Sequence, residues 1–360
     1  MLPSTEHGCI VISDLSGYTG YLRDTELEHA QNVLADVTDT IVSHLRPALR
    51  IIRLEGDAVF GYALSNRLES FLILDSIDST YFAFRSRLRD IEHATACRCK
   101  ACVQIPSLDL KFVGHFGEFV RSRLAGHDDL TGTDVIVAHR LLKNSVTEQF
   151  GIRGYTFLTE ACTNALGLDP RLLGMEAHRE TYDDVGEVGG YVLDMDRRWR
   201  AEQERTRVYV SSEEAQFEYV AEVPGSSAVV WDHLTTPTKR LLWQTEFDRI
   251  DQHNPGGRRG VGTTNHCVHG RGAIVEEILD WRPFDYYSVR LTLPGLGKWT
   301  QTVELSPQGD DGTEVAIRGE RLRGARRVMV TAMRRTLQKN LAKNFGRLRV
   351  ILGSAHRDQL

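Results

Sequence analysis

Two aspartates carry the first suggestion of chemistry. Asp14 closes the apolar run of residues 8–13 and opens a turn through Ser16, Gly17, Tyr18 and Thr19, while Asp57 follows Gly56 between two β-rich runs. A carboxylate at a strand end beside a glycine faces an open site, and two of them on neighbouring strands can hold divalent cations. Mg²⁺ suits that donor set, because it takes oxygen ligands, keeps several waters and completes its shell with substrate phosphates. The backbone N–H groups of Ser16, Gly17, Tyr18 and Thr19 would meet those phosphates, with Gly17 allowing close approach. An Asp-x-x-Gly turn standing alone is ordinarily a cap or a turn. The second acid is what gives this one weight.

A second group of ligating side chains is His93, Cys97, Cys99 and Cys102. Four such groups suffice for tetrahedral Zn²⁺. The Cys-x-Cys-x-x-Cys spacing is tight, however, and no second pair closes a zinc ribbon, so redox-sensitive thiols and inert cysteines stand beside the metal reading. In "NHCVHG", residues 265–270, His266 and Cys267 alternate along a strand and face opposite sides, which argues against a shared metal.

The elements that must position these groups follow from periodicity. Residues 24–45 place Leu27, Ala30, Val33, Leu34, Val37, Ile41 and Leu45 at three- and four-residue steps, a helix that Asp24 or Thr25 can cap and Pro47 stops. Glu55-Gly56-Asp57 is read as the tip of a hairpin. A second helix is expected over about 68–92, a strand entering a turn over 108–120, and a helix behind Gly132. The charge-dense run 194–207 is read as a linker or connecting helix. Alternating strands then fill 214–322, and a long helix covers about 324–352, with Val330, Met333, Leu337, Leu341, Phe345 and Leu348 on one apolar face. Residues 321–350 hold ten Arg or Lys and no Asp or Glu. That face is either simply solvated or attracts acidic lipid, nucleic acid or an acidic partner.

Composition bounds the rest. With 360 residues, 41% of them hydrophobic, the chain has room for two domains. A net charge of -5 gives no global reason to expect nucleic acid or a membrane surface. No stretch approaches the roughly eighteen apolar residues that a spanning helix needs. The start, "MLPSTEHG", lacks the basic and apolar regions of a secretory signal, so a cytoplasmic location is expected. Six cysteines are too sparse for a disulfide scaffold.

Residues 8–193 resemble the class III nucleotidyl cyclases. Asp14-Leu15-Ser16-Gly17-Tyr18-Thr19 is similar to that family's first metal motif, Gly56-Asp57 to its second, "VGHFGEF" to its His-x-Gly strand through His115 and Gly117, and "DLTGTDVIVAHRL" to its purine-selecting and transition-state segment. The resemblance implies Mg²⁺ or Mn²⁺ on Asp14 and Asp57, a nucleoside triphosphate substrate, Asp129 as base-selecting acid, Arg140 as stabiliser of the transition state, and a site built across a homodimer. Arg53 stands where the family has a base-contacting lysine, Ile136 where it has a ribose-orienting asparagine, and Val185 near its triphosphate lysine. Residues 214–353 resemble the START-like, or polyketide cyclase-like (SRPBCC), helix-grip proteins through "EVPGSSAVVWDHLTTP" and "ILDWRPFDYYSV". That resemblance implies a pocket for a lipid or apolar small molecule, for which Trp231, Trp243, Trp281, Phe284, Tyr286, Tyr287 and Trp299 are candidate lining residues. The expectation is therefore an α+β chain: a ferredoxin-like class III cyclase fold over 1–195, a linker over 196–212 and a helix-grip domain over 213–360. Its function would be nucleotide binding with turnover to a cyclic nucleotide, nucleotide or ligand sensing without turnover, or ligand carriage by the second domain with the first serving dimerisation.

Overall fold

The computed structural model describes residues 4–25, 27–67, 70–94, 104–124, 126–270, 272–309 and 312–357. The chain divides into two units, Met1–Arg205 and Thr206–Leu360.

In the first unit the strands are β1 (Thr5–Ser16), β2 (Arg50–Glu55), β3 (Ala58–Leu64), β4 (Asp109–Leu124), β5 (His127–Thr131), β6 (Tyr155–Thr159), β7 (Glu176–Tyr182) and β8 (Gly186–Asp194). The helices are α1 (Tyr18–Asp24), α2 (Leu27–Leu45), α3 (Ser70–Ala94), α4 (Thr133–Arg140), α5 (Val146–Phe150), α6 (Glu160–Ala165) and α7 (Met195–Glu204). The sheet runs β2-β3-β1-β4-β6-β8-β7, with β5 hairpinned onto β4. Its pairings are antiparallel apart from β4 with β6.

The apolar run in β1 has a simple cause. Cys9, Val11 and Leu15 enter one core with α2 and α3, while Ile10 and Ile12 enter the other, behind α4. A central strand covered on both faces has no solvent side on which polar residues would alternate. The charge-dense stretch after β8 folds as α7, whose Trp199 is buried in the core of this unit beside Phe82.

In the second unit β9 (Ala215–Pro224) is followed by α8 (Ser227–Thr235) and α9 (Pro237–Trp243). The meander β10 (Arg249–His253), β11 (Thr264–His269), β12 (Gly272–Arg282), β13 (Tyr286–Leu293), β14 (Gly297–Gln308) and β15 (Gly312–Glu320) comes next, and α10 (Ala325–Arg357) closes the unit. The seven strands pair antiparallel in the order β10-β11-β12-β13-β14-β15-β9. Helix α10 lies on the sheet, and its Phe345, Leu348 and Leu352 share a core with Trp231 and Trp243. This is the helix-grip arrangement. Met333 departs from the expected apolar face of the long helix, being 41% exposed. Residues 328–336 of α10 are solvent-exposed apart from Val330, so one turn of apolar spacing there has no sheet to meet.

Candidate functional site

Antiparallel pairing of β1 with β3 brings the end of β1 beside the turn at Gly56 and Asp57. The φ of Gly56, +67°, is a left-handed value that closes the tight β2–β3 connection with little strain only for glycine. Asp57, just past it, lies close enough to Asp14 for the two carboxyl groups to interact directly. Burial and the adjoining Asp14 carboxylate push the Asp57 carboxyl up to about 6. Two like charges held this close favour a proton or a cation between them. The donor set, oxygen only and half-buried, fits Mg²⁺ or Mn²⁺.

Sequence reasoning missed a third member of this centre. Lys111 lies directly across from Asp14 in the β1–β4 register, its Nζ 3.0 Å from Asp14 Oδ2 and donating to the Leu142 carbonyl at 3.0 Å. It also opposes the rise at Asp57. The only advance signal was a basic residue within the strand pattern of 108–120, and the register needed to pair it was not legible from either segment alone.

The turn after β1 has Gly17 at φ +88° and opens α1. A Cβ at Gly17 would stand 2.5 Å from Arg153 Nη2 and 2.8 Å from the Ser107 carbonyl. Arg153 Nη2 itself donates to Ser107 O at 2.5 Å, and Ser16 Oγ donates to Arg153 O at 3.1 Å. An exposed guanidinium thus flanks the turn formed by Ser16, Gly17, Tyr18 and Thr19, a second basic group that sequence spacing did not reveal.

The other candidates fall in three groups. Arg53 is ion-paired with Asp129 and bonds Glu55 at 2.5 Å, its guanidinium 5.0 Å from the centre of the Phe60 ring. Asp129 Oδ1 also accepts the Leu130 N–H at 2.7 Å. The two residues that the resemblance assigned to the base therefore hold each other. Arg140, at the end of α4, is bound by Asp184 through Nε at 2.9 Å and Nη2 at 2.5 Å. Ile136, on the same helix, is 51% exposed. His115 is buried, joined through Nδ1 to Thr159 Oγ1 at 3.0 Å and through Nε2 to Asp134 Oδ1 at 3.2 Å, and Asp134 Oδ2 accepts the Glu118 N–H at 2.6 Å. Gly117 is what admits Asp134, since a Cβ there would come within 2.2 Å of its carboxyl. The His-x-Gly element thus fastens α4 to β4.

Cys97, Cys99 and Cys102 lie outside the described residues. Among the described residues, no group of three or more His, Cys, Asp or Glu is arranged to hold a metal ion. Nor is any helix among them long and apolar enough to cross a membrane.

The second unit contains a cavity of about 420 Å³ between sheet and α10, lined by apolar residues of both. Trp243, Tyr287 and Trp299 line it. The other aromatics expected there do not. Trp231 packs edge-on against Trp281 at 4.6 Å and against Phe284 at 6.0 Å. Tyr286, one residue along β13 from Tyr287, points to the opposite face and donates to Asp280 at 2.8 Å. At the wall of the cavity Arg240 and Glu276 form a bidentate ion pair, Nη1 to Oε2 at 2.7 Å and Nη2 to Oε1 at 2.9 Å.

Residues 214–352 match the family described as polyketide cyclase, dehydrase and lipid transport. The second unit is similar to that family. Residues 34–150 match a family described only as a protein of unknown function. An uncharacterized protein of Mycobacterium tuberculosis is 29% identical over 162 residues, 45% of this chain and 73% of its own length. Among solved structures, the guanylyl cyclase Cya2 is 15% identical with a TM-score of 0.39, covering 53% of this chain and 93% of its own. The adenylyl cyclase CyaB from P. aeruginosa is 13% identical with a TM-score of 0.40, covering 54% of this chain and 97% of its own. The α+β architecture expected from the sequence, a mixed sheet domain followed by a helix-grip domain similar to the polyketide cyclase family, is the one observed.

Proposed function

We propose that the first unit binds a nucleoside triphosphate together with a divalent cation. The observation that supports this reading is the closeness of Asp14, at the end of β1, to Asp57, in the β2–β3 turn, beside a glycine turn and Arg153. Asp14 and Asp57 would hold Mg²⁺ or Mn²⁺, and the cation would neutralise phosphate charge. Ser16, Gly17, Tyr18 and Thr19 would offer backbone N–H groups to the phosphates, and Arg153 a guanidinium. Arg53 and Asp129 would have to part to read a purine base. Cyclic nucleotide formation, with Arg140 stabilising the transition state, requires release of Arg140 from Asp184, and a homodimer in the cyclase manner would complete the site.

The test is titration of the protein with ATP and GTP in Mn²⁺ and in EDTA, alongside Asp57→Ala, with cyclic product assayed in the same samples. Cation-dependent binding that Asp57→Ala abolishes is expected. Equal binding by both proteins, or binding indifferent to cation, would end the reading.

The cavity favours a second reading for the second unit, carriage of an apolar small molecule or lipid. A cavity of this volume, walled mostly by apolar side chains with polar groups among them, is within the ordinary range of small-molecule sites. Native mass spectrometry of protein purified from cells would detect such a ligand.

A further inference from the structure

From the cavity wall of the second unit we infer that its ligand is an uncharged, largely apolar molecule carrying a hydroxyl or carbonyl group, and not a fatty acid or other organic anion. The inference rests on the carrier reading just given, and it names the ligand class.

The wall contains a cation, but not a free one. Arg240 has both terminal nitrogens on Glu276, with Nη2 also 3.9 Å from the Cys267 sulfur, and its Nε on Gln244 Oε1 at 2.9 Å. Glu276 takes a further bond from Asn265 Nδ2 at 3.1 Å. The pair is buried, with side chains 8% and 12% exposed, and each charge is met by the other. Arg240 holds the Glu276 carboxyl below the usual carboxylate range despite its burial. A carboxylate entering here would leave water, meet a guanidinium already committed in two directions, and lie beside Glu276. Burying a charge without a new partner is among the costliest events in a protein interior. Glu246, another lining residue, adds a second carboxylate and is fixed by Asn344 Nδ2 at 2.7 Å. The described lining residues therefore carry one guanidinium against two carboxylates, with His269 the remaining titratable base.

Neutral hydrogen-bonding groups, by contrast, are available. Tyr287 on β13 and Gln301 on β14 both line the cavity. In the β13–β14 register Tyr287 is opposite Val303 and Gln301 opposite Val289, so the two project from one face as diagonal neighbours. No hydrogen bond joins either side chain to another described residue, whereas Arg240, Glu276, Asn265 and Asn344 are all engaged. One phenol O–H and one amide, on a sheet face shared with Val289, Leu291 and Val303, suit a ligand hydroxyl or carbonyl, which costs little to desolvate and gains a bond on arrival.

The test uses the full-length protein and three probes of matched shape: para-heptylphenol, heptylbenzene and para-heptylbenzoate. Binding is read from the fluorescence of Trp243 and Trp299, both lining residues, and by isothermal titration. The phenol should bind about tenfold more tightly than heptylbenzene, the order of one net hydrogen bond, and the benzoate more weakly than either. Tyr287→Phe should bring the phenol down to the level of heptylbenzene, and Gln301→Leu should reduce the same preference. Benzoate binding as tight as phenol binding, or a phenol preference untouched by both substitutions, would overturn the ligand class while leaving the carrier reading standing. Failure of all three probes to bind would overturn the carrier reading itself, and this inference with it.

Discussion

Lys111 Nζ stands 3.0 Å from Asp14 Oδ2, inside the same centre in which Asp57 meets Asp14. A tethered ammonium would thus share Asp14 with a cation bound there. Because Lys111 offsets negative charge that a divalent ion would otherwise feel, Lys111→Met should raise Mn²⁺ affinity by roughly twofold to fivefold, the order expected for a partly exposed ion pair. Isothermal titration or the electron paramagnetic resonance signal of free Mn²⁺ measures it. Unchanged or weakened affinity would mean that Lys111 does not compete with the cation.

Asp57 should cost the metal-free fold stability at neutral pH. Its carboxyl, ordinarily near 3.8, is pushed up to about 6 by burial and by Asp14. The folded chain therefore holds this proton more tightly than the unfolded chain does. The stabilising contribution is complete below the ordinary value and is lost as pH rises through about 6. Asp57→Asn, which cannot ionise, should melt a few degrees above wild type at about pH 8 in EDTA and lose that advantage by about pH 4. Thermal melts across that range decide the point, and an advantage that grows on acidification would refute it.

Gly117→Ala should destabilise the first unit by about 1–3 kcal/mol. The added methyl would lie 2.2 Å from the Asp134 carboxyl, which cannot retreat without giving up the Glu118 N–H and His115. Urea unfolding provides the measurement. A change within experimental error would show that Asp134 moves freely.

In the second unit, Glu276→Ala should cost about 3–5 kcal/mol, since it leaves Arg240 charged and buried without its counter-ion. Replacing both partners, Arg240→Met with Glu276→Leu, should cost much less, because the desolvation penalty then disappears with the charges. Equal losses in the single and double variants, measured by denaturant titration, would contradict this account.

The legible part of the fold was the part carried by local pattern. The run 8–13, the three-four spacing of 27–45 and the glycine turn at 56 each encode one element, and the alternation of 214–322 a series of strands, because side chains within an element set its buried face through a fixed period. The acids Asp14 and Asp57 were visible for the same reason: Asp14 marks where an apolar run stops, and Asp57 the glycine turn between two β-rich runs. The long helix was also anticipated, but not that Met333 would be exposed, since a periodic face becomes a buried face only where another surface covers it.

Tertiary structure alone decided which groups meet. Lys111 reaches Asp14 through strand register, Arg153 reaches the turn at Gly17 from across the sheet, and Arg53 closes on Asp129 through the hairpin that folds β5 onto β4. The same holds in the second unit, where a one-residue step along β13 sends Tyr287 into the cavity and Tyr286 away from it. Residue types and their local spacing determined that this chain has two acids beside turns and, in its second half, alternating strands rich in aromatics. Which charges are free and which are already paired depends on contacts between distant segments, and those distances exist only once the chain has folded.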